Sequence, residues 1–316
     1  MFVYKYRSGT TRDIEALMNN EFYAASIESL NDVHEGKIII NNHEIKLFDL
    51  LAKNNASFFD ISIEKSLKNL MQIYENSGVY SLSKDYKNEL LWAYYANSHK
   101  GFCIEYDFNI LKQYPCNEDN FFDVKYSKNV PIINLGSIFD ISILKKSLVT
   151  KSLSWKHEDE IRILTPFQGM FTYFTRAVKS IYFGYRTDKN TIESIMGKLK
   201  GRGIKYYQMT HKKDLYELEK EYKQDVFKDE SIYKNKVNKF VPYLLEDEKP
   251  YEDLIKKAIV IVEQEPLCEK VIDANISSSK GTKDNPVFFI SYENKIKNFS
   301  LNYFISKKEI EEIFKN

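Results

Sequence analysis

The centre of the chain carries the stretch Trp155-Lys156-His157-Glu158-Asp159-Glu160-Ile161-Arg162-Ile163-Leu164, which predicts the end of a helix running into a short strand. From Glu158 the residues alternate, so Glu158, Glu160 and Arg162 share one strand face and the isoleucines share the other. Residues on one face lie about 7 Å apart along a strand. Because unpaired buried charges are costly, we expect this face to be solvated, internally paired or lining a cleft. The structural alternative is an edge strand with a polar outer face.

The composition indicates a folded, nearly neutral protein. The 316 residues are 43% hydrophobic, which is enough for the core of one large domain or two ordinary ones. Lys and Arg number 46 against 45 Asp and Glu, so the net charge of +1 creates no global field toward nucleic acid or membranes, although a local patch could still exist. The 23 Tyr and 21 Phe suit either surfaces that stack on bases or a low-GC coding bias.

The cysteines and the N-terminal residues indicate a cytoplasmic setting. Cys103, Cys116 and Cys268 have neither metal-ligand spacing nor the even number of a disulfide framework. The first residues lack the apolar core of a signal peptide, and no run approaches the roughly 20 apolar residues of a membrane span. We therefore expect a cytoplasmic protein that makes no membrane contact and needs no metal.

Local patterns predict an α+β fold in two parts. Residues 1–211 read as short strands and helices with a helical insertion at about residues 37–78. Residues 212–316 read as a small C-terminal α/β appendage. The boundary is placed where the composition becomes dense in Lys, Glu and Tyr.

Periodicity also predicts individual elements. Leu144, Leu148 and Ser152 recur at every fourth position and predict a helix that continues to Trp155. The Lys- and Glu-rich residues 212–239 predict a solvated helical or linker segment. Apolar patterns further on predict, in order, a helix at 251–262, a strand at 287–291 and a helix from residue 306.

Polar residues on two other predicted strands are candidates for a ligand site. Arg7 ends the first strand, where it could hold an anion in a cleft or be an ordinary surface arginine. Ser81 and Ser83 place two small hydroxyls on one strand face. They leave room for a ligand against the sheet, or they belong to a strand edge with a serine turn.

A set of motifs runs through residues 2–210. The motifs are, in order, Tyr4-Lys5-Tyr6-Arg7, Ser81-Leu82-Ser83, Leu91-Trp92-Ala93-Tyr94-Tyr95-Ala96, His99 to Asp107, Trp155 to Arg162, and Ile181-Tyr182-Phe183-Gly184. Together they resemble a bacterial family known as domain of unknown function twenty-nine seventy-one. That family usually has an Asn-Asp-Pro-Phe-Glu turn, where this chain has Asn31-Asp32-Val33-His34-Glu35. The family label implies no activity.

A more distant resemblance does imply an activity. An Arg on the first strand, a Ser-x-Ser strand and a late Glu-x-Glu strand are similar to the Arg–Ser–Glu pattern of ADP-ribosyltransferases. The resemblance implies an ADP-ribosyltransferase-like core of mixed or antiparallel sheets, with NAD as the substrate. The roles it implies are dinucleotide clamp for Arg7, nicotinamide pocket for Ser81 and Ser83, catalytic carboxylate for Glu160, acceptor activation for Glu158, and further cofactor contacts for Tyr6, Tyr95 and Arg162.

The leading hypothesis is an NAD-dependent ADP-ribosyltransferase, a bacterial toxin or phage-defence effector that modifies a macromolecular acceptor, protein or nucleic acid. Such a protein would have a neutralising or regulatory partner. Breaking the nicotinamide–ribose bond develops positive charge on the sugar, which an ionised carboxylate stabilises. Two alternatives stay open. A magnesium-dependent nuclease would combine Glu158 and Glu160 with Asp107 or Glu105, and a non-catalytic module would bind a nucleotide or protein.

Overall fold

The computed structural model describes residues 1–37, 39–40, 68–69, 72–113, 120–133, 142–228, 230, 232–233, 239–266, 268–295 and 300–315. Most of the predicted helical insertion, residues 41–67, lies outside this set, and so does Cys116. Among the described residues, no helix has both the length and the apolar character needed to cross a membrane.

The described residues form an α+β fold. The strands are β1 (Phe2–Arg7), β2 (Glu21–Ser26), β3 (Ile39–Ile40), β4 (Gly78–Ser83), β5 (Phe102–Asp107), β6 (Phe121–Asp123), β7 (Lys125–Ser127), β8 (Ile132–Ile133), β9 (Thr150–Ser152), β10 (Glu160–Thr165), β11 (Gly169–Thr172), β12 (Val178–Phe183), β13 (Lys205–His211), β14 (Leu218–Lys223), β15 (Cys268–Gly281), β16 (Pro286–Asn294) and β17 (Ser300–Ser306). The helices are α1 (Thr11–Met18), α2 (Glu89–Tyr95), α3 (Phe108–Leu111), α4 (Ser142–Leu148), α5 (Lys189–Lys198), α6 (Glu252–Glu263) and α7 (Lys307–Phe314).

One large mixed sheet dominates the fold. Its strands follow the order β11-β2-β4-β1-β5-β12-β13-β14, and β10 pairs with both β4 and β6. Strands β12 and β13 are parallel and are joined through α5, whereas their neighbours pair antiparallel. The predicted α+β class with mixed and antiparallel sheets is confirmed, and the ADP-ribosyltransferase-like core stays a prediction.

Strands β1 and β4 separate almost as soon as they meet. Strand β1 pairs with β5 along its whole length, but it pairs with β4 only through Tyr4 and Ser83 in the described register. On its other edge β4 pairs with β10 over six residues, from Ser83 opposite Glu160 to Gly78 opposite Thr165. The sheet therefore opens into a cleft between two strands that are each held firmly by their other neighbour.

A continuous apolar core joins the main sheet to the C-terminal part. The same buried cluster contains Val3 and Ile104 of the main sheet, Ile259 of α6 and Ile305 of β17. Burial of apolar side chains is the largest favourable contribution to the folding free energy of a domain, so this shared core stabilises both parts together. The predicted division at residue 211 stays a prediction, and β14 lies beyond it within the main sheet.

Buried polar contacts reinforce this junction. The Glu265 carboxylate accepts hydrogen bonds from the backbone N–H of Thr175 (2.9 Å) and from the hydroxyl of Tyr303 (3.0 Å). Arg176 donates to Glu309 (2.5 Å), which also closes the capping box of α7. A buried ionisable group needs such partners because water cannot solvate it.

The elements predicted near the C-terminus are confirmed as α6, β16 and α7. The linker prediction for residues 212–239 is wrong at β14, which pairs antiparallel with β13. Strand β14 is the last strand in the sheet order, and four of its six residues are exposed. Charged side chains are common on edge strands because they discourage further pairing. Because most of its residues are charged and exposed, β14 lacks the apolar alternation by which a strand is recognised in a sequence.

The helix predicted to reach Trp155 is also wrong in its extent. Helix α4 ends at Leu148, and the chain then forms β9, which pairs in parallel with β7. A 3-10 helix follows at Leu153–Glu158. Pairing with a distant strand has overridden a local periodicity, which is only a weak determinant of structure.

Replacing Gly101 with Ala should destabilise the fold by about 2 kcal/mol, because the new Cβ would press on the carbonyl oxygen of Arg7. Gly197→Ala is the matched control. That residue lies within α5, and its Cβ would make only an ordinary 3.7 Å contact with Phe227. The control should gain up to about 1 kcal/mol from helix propensity. Urea unfolding measures both, and equal stability of the two variants would contradict the close approach at Gly101.

Candidate active site

A cavity of about 720 Å³ opens where β1 leaves β4. Strand β4 brings its walls together, since Ser83 lies opposite both Tyr4 and Glu160, and Ser81 lies opposite Arg162. The lining includes every residue that the sequence suggested for the site, namely Tyr6, Arg7, Ser81, Ser83, Tyr95, Glu158, Glu160 and Arg162. Their placement in one cavity is a geometric result, and their chemical roles stay predictions.

The two glutamates reach the cavity from different elements. Glu158 ends the 3-10 helix, and Glu160 begins β10. Between them Asp159 has a φ of 42° in the left-handed region, which Asp tolerates better than most residues. The predicted strand alternation from Glu158 is therefore wrong by two residues. A turn, rather than strand pleating, brings both side chains to one place.

Lys151 of β9 holds the two glutamates together. Its Nζ forms ion pairs with Glu158 and with Oε1 of Glu160, the latter at 2.5 Å. The second oxygen of Glu160 accepts a hydrogen bond from Nε of Arg162 at 2.8 Å. The hydroxyl of Tyr95 donates to Oε1 of Glu158 at 2.6 Å. Both carboxylates are thus buried and paired, as expected for charges withdrawn from water.

Arg162 extends this cluster toward the turn after β2. Its side chain is only 1% exposed, and it forms an ion pair with Glu35 and donates to the carbonyl oxygen of Leu148 at 2.6 Å. Glu35 belongs to the turn that departs in part from the family pattern. The turn therefore supplies a carboxylate to the cluster, a contribution that sequence analysis missed.

The charges of this cluster do not balance. When all groups are ionised, Glu35, Glu158 and Glu160 carry one more charge than Lys151 and Arg162. Burial, followed by the neighbouring Glu160, raises the pKa of Glu158 to about 7. Burial works in the same direction on Glu160, but Arg162, a hydrogen bond from Glu158 and then Lys151 hold its pKa well below the ordinary value. Near neutral pH the pair contains one ionised and one titrating carboxyl group.

Cations occupy the other wall of the cavity. Nζ of Lys5 donates to the carbonyl oxygen of Ser81 at 2.8 Å, at the level where β1 and β4 no longer pair. It lies 4.6 Å from the ring centroid of Tyr80. Burial, followed by the nearby charge of Arg7, lowers the pKa of Lys5 to about 7. Arg7 itself has a loose ion pair with Asp13, with 3.7 Å between Nη1 and Oδ1.

Not all of the predicted residues present a free polar group to the cavity. The Ser83 hydroxyl donates to the carbonyl oxygen of Glu158 at 2.9 Å, and the Tyr6 hydroxyl donates to that of Asp85 at 2.7 Å. These two hydroxyls fasten the main chain around the cavity. Ser81 is half-buried on the cavity wall.

Three contributing residues were not predicted, namely Glu35, Lys5 and Lys151. Lys5 lies within the motif Tyr4-Lys5-Tyr6-Arg7, two residues before the predicted Arg7, and this position is the signal that could have identified it. Lys151 had no distinguishing signal, because only the pairing of β7 with β9 orients it toward the glutamates.

The arrangement gives little support to the nuclease alternative. Glu105 and Asp107 line a different cavity from the glutamate pair. Within the described part of the chain, no group of three or more His, Cys, Asp or Glu residues could hold a metal ion. The space between Glu158 and Glu160 is occupied by the Lys151 ammonium.

Comparison with known proteins identifies a family for one segment. Residues 91–163 match the model of a family described as protein of unknown function (DUF2971). This finding confirms the resemblance to that family, and the matched segment includes Tyr95, Glu158, Glu160 and Arg162. Neither a curated protein nor a solved structure matches the chain.

Replacing Lys151 with Met should destabilise the protein by about 3 kcal/mol, because it leaves two buried carboxylates without their shared cation. Adding Glu158→Gln should recover part of this loss, since it removes the surplus negative charge. Lys125→Met, on the paired strand β7, removes an exposed lysine and should change stability by less than about 0.5 kcal/mol. Urea unfolding of the parent, the control, both single variants Lys151→Met and Glu158→Gln, and the double variant tests this, and strictly additive effects would argue against the shared cation.

The raised pKa of Glu158 should be visible in the pH dependence of stability. The folded state keeps this proton up to about pH 7, whereas the unfolded chain loses it near the ordinary value of 4.5. The Glu158 contribution to the free energy of unfolding should therefore decrease as pH rises from about 4.5 to 7. The decrease should be absent from Glu158→Gln. Denaturant titrations at several pH values compare the slopes, and equal slopes would contradict the assignment.

Proposed function

We propose that this chain cleaves the nicotinamide–ribose bond of NAD and transfers ADP-ribose to a macromolecular acceptor. One observation carries the proposal: a single cavity combines an ionised carboxylate, a carboxyl group that titrates near neutrality and a wall of cations. Such an activity would suit a toxin or a phage-defence effector. The match to a family of unknown function neither supports nor opposes it.

The carboxylates suit the two halves of the reaction. As nicotinamide departs with the bonding electrons, the ribose gains positive charge that the anionic Glu160 stabilises. An acceptor nucleophile forms the new bond to the same ribose carbon and releases its proton to ionised Glu158. Proton transfer is most effective when the pKa of the base lies near the working pH, as it does for Glu158. Two neighbouring carboxyls with separated pKa values are typical of paired acid–base and electrostatic roles.

The cationic wall suits the pyrophosphate of NAD. The guanidinium of Arg7 can donate two parallel hydrogen bonds to phosphate oxygens. Its ion pair with Asp13 is long, so its N–H donors can form hydrogen bonds with a ligand instead. Lys5 lies beside it with a lowered pKa, and an arriving phosphate would restore its positive charge. Ligand binding should therefore be accompanied by proton uptake at Lys5.

A second candidate function is a non-catalytic module that binds a nucleotide. The observation that favours it is the complete pairing of Glu160, whose two oxygens face Lys151 and Arg162. In a catalytic protein this pairing keeps Glu160 ionised and oriented. In a binding module it would only hold β9 against β10.

Purified protein incubated with NAD and cell lysate should release free nicotinamide. Glu160→Gln and Glu158→Gln should each reduce the rate by about 100-fold or more, because each removes charge stabilisation or proton transfer. Glu89→Gln is the control and should retain the parent rate, since Glu89 is exposed in the first turn of α2. Thermal shift with NAD measures binding separately. Binding by a parent protein that releases no nicotinamide would support the binding module and contradict the transferase.

A further inference from the structure

A second cavity, of about 850 Å³, lies over the part of the main sheet formed by β5, β12, β13 and β14. Glu105, Ser180, Tyr182 and Tyr207 line it, and these residues are neighbours across the paired strands. Tyr4 lines both this cavity and the candidate active site. The two cavities therefore share one lining residue of β1.

Two of the lining residues, Tyr182 and Tyr207, belong to a row of tyrosines that extends beyond the cavity to Tyr86 at one end and Tyr222 at the other. Tyr86 and Tyr182 stack with ring centroids 4.6 Å apart, and Tyr182 stacks on Tyr207 at 5.1 Å. Tyr222 meets Tyr207 edge to face at 5.9 Å and is 61% exposed. The row continues from a buried stack to an aromatic surface that faces solvent.

Lys220 lies over this tyrosine row. Its Nζ is 4.4 Å from the ring centroid of Tyr207, 5.1 Å from that of Tyr86 and 5.2 Å from that of Tyr182. The cation is exposed and lies on edge strand β14. An anionic ligand that stacks on the tyrosines would thus meet a positive charge at the same place.

Seven basic and five acidic side chains line the cavity, and in the described part of the chain three of the five carboxylates are paired with side chains, whereas Asp107 and Glu312 form no salt bridge. No salt bridge within the described residues involves any of its lining lysines, namely Lys179, Lys205, Lys220, Lys228 and Lys315. Glu105 accepts hydrogen bonds from three hydroxyls, those of Tyr4, Ser180 and Tyr182. Glu309 pairs with Arg176, and Glu230 pairs with Lys200. The rim therefore presents net positive charge although the chain as a whole is nearly neutral.

We propose that this face binds single-stranded nucleic acid, with a base stacked on the exposed Tyr222 at the end of the tyrosine row and phosphates held by the lysines that form no salt bridge. Stacking platforms beside a cationic groove are the physical basis of sequence-tolerant single-strand binding. An acidic polypeptide would satisfy the lysines but would leave the exposed aromatic ring without a stacking partner. The site goes beyond the proposed NAD chemistry. Its use as the acceptor site rests on that function and on the one lining residue, Tyr4, that the two cavities share.

The test measures fluorescence anisotropy of labelled 12-nucleotide DNA and RNA homopolymers with the full chain, without NAD. Lys205→Glu/Lys220→Glu should weaken binding by about ten-fold or more, and Tyr222→Ala should weaken it by about ten-fold. Lys213→Glu/Lys283→Glu makes the same charge change at exposed lysines outside this cavity and should bind as the parent does. Affinity should fall as salt is raised, and more steeply for the parent than for the Lys205/Lys220 variant.

Three outcomes would overturn the assignment: absence of binding by the parent, equal weakening by the two lysine pairs, or equal competition by polyglutamate at matched charge. Equal competition by polyglutamate would show that this face recognises negative charge without base stacking, and it would favour an acidic protein as the partner. Circular dichroism of each variant establishes that it is folded. Because the anisotropy assay contains no NAD, a lack of oligonucleotide binding would count against the nucleic-acid site and not against NAD cleavage. Loss of release with intact oligonucleotide binding would count against the proposed function alone.

Discussion

The candidate site depends on one ammonium group, that of Lys151. It lies between Glu158 and Glu160 and allows two buried carboxylates to approach each other. Arg162 compensates Glu160 from the other side and connects it to Glu35. The cluster still has one negative charge too many, so a proton is bound near neutral pH. Burial raises the pKa of both carboxyl groups, but Arg162 and Lys151 keep Glu160 ionised, so the proton is bound by Glu158. One carboxyl group is therefore ionised and the other titrates near neutral pH, because a buried cluster with three carboxyl groups and two cations cannot keep all of them ionised without cost.

The cleft itself is a consequence of backbone pairing. Strand β1 leaves β4 after one residue pair, and a carbonyl group of β4 would then lack its ladder donor. The Lys5 side chain supplies that donor to Ser81, and the resulting desolvation lowers its pKa. Because the Lys5 side chain takes the place of a backbone N–H donor, β4 does not need a neighbouring strand at this level, and a cation lies in the wall of the cleft. Because β1 remains fully paired with β5, this wall belongs to a rigid element.

Tyr4 connects the two cavities physically. Its backbone pairs with Ser83 at the entrance to the cleft, while its hydroxyl donates to Glu105 on the far side of the strand at 3.1 Å. Glu105 in turn holds Tyr182, which belongs to the stacked tyrosine row. A short chain of hydrogen bonds and ring contacts thus spans the distance between the proposed NAD pocket and the proposed nucleic-acid face.

The sequence by itself determined the α+β class, a polar strand that contains Glu160 and Arg162, and eight of the residues that line the cavity. These features depend on short-range alternation and on motifs whose order along the chain is visible directly. Only the tertiary structure decided the partners of the charges. Lys151 and Glu35 look like ordinary polar residues until β7 pairs with β9 and the turn after β2 folds against Arg162. Strand β14 was hidden for a related reason, because an edge strand needs no apolar pattern when pairing on one side supports it. Charge compensation and strand pairing act between residues far apart in sequence, so they cannot be predicted from local periodicity.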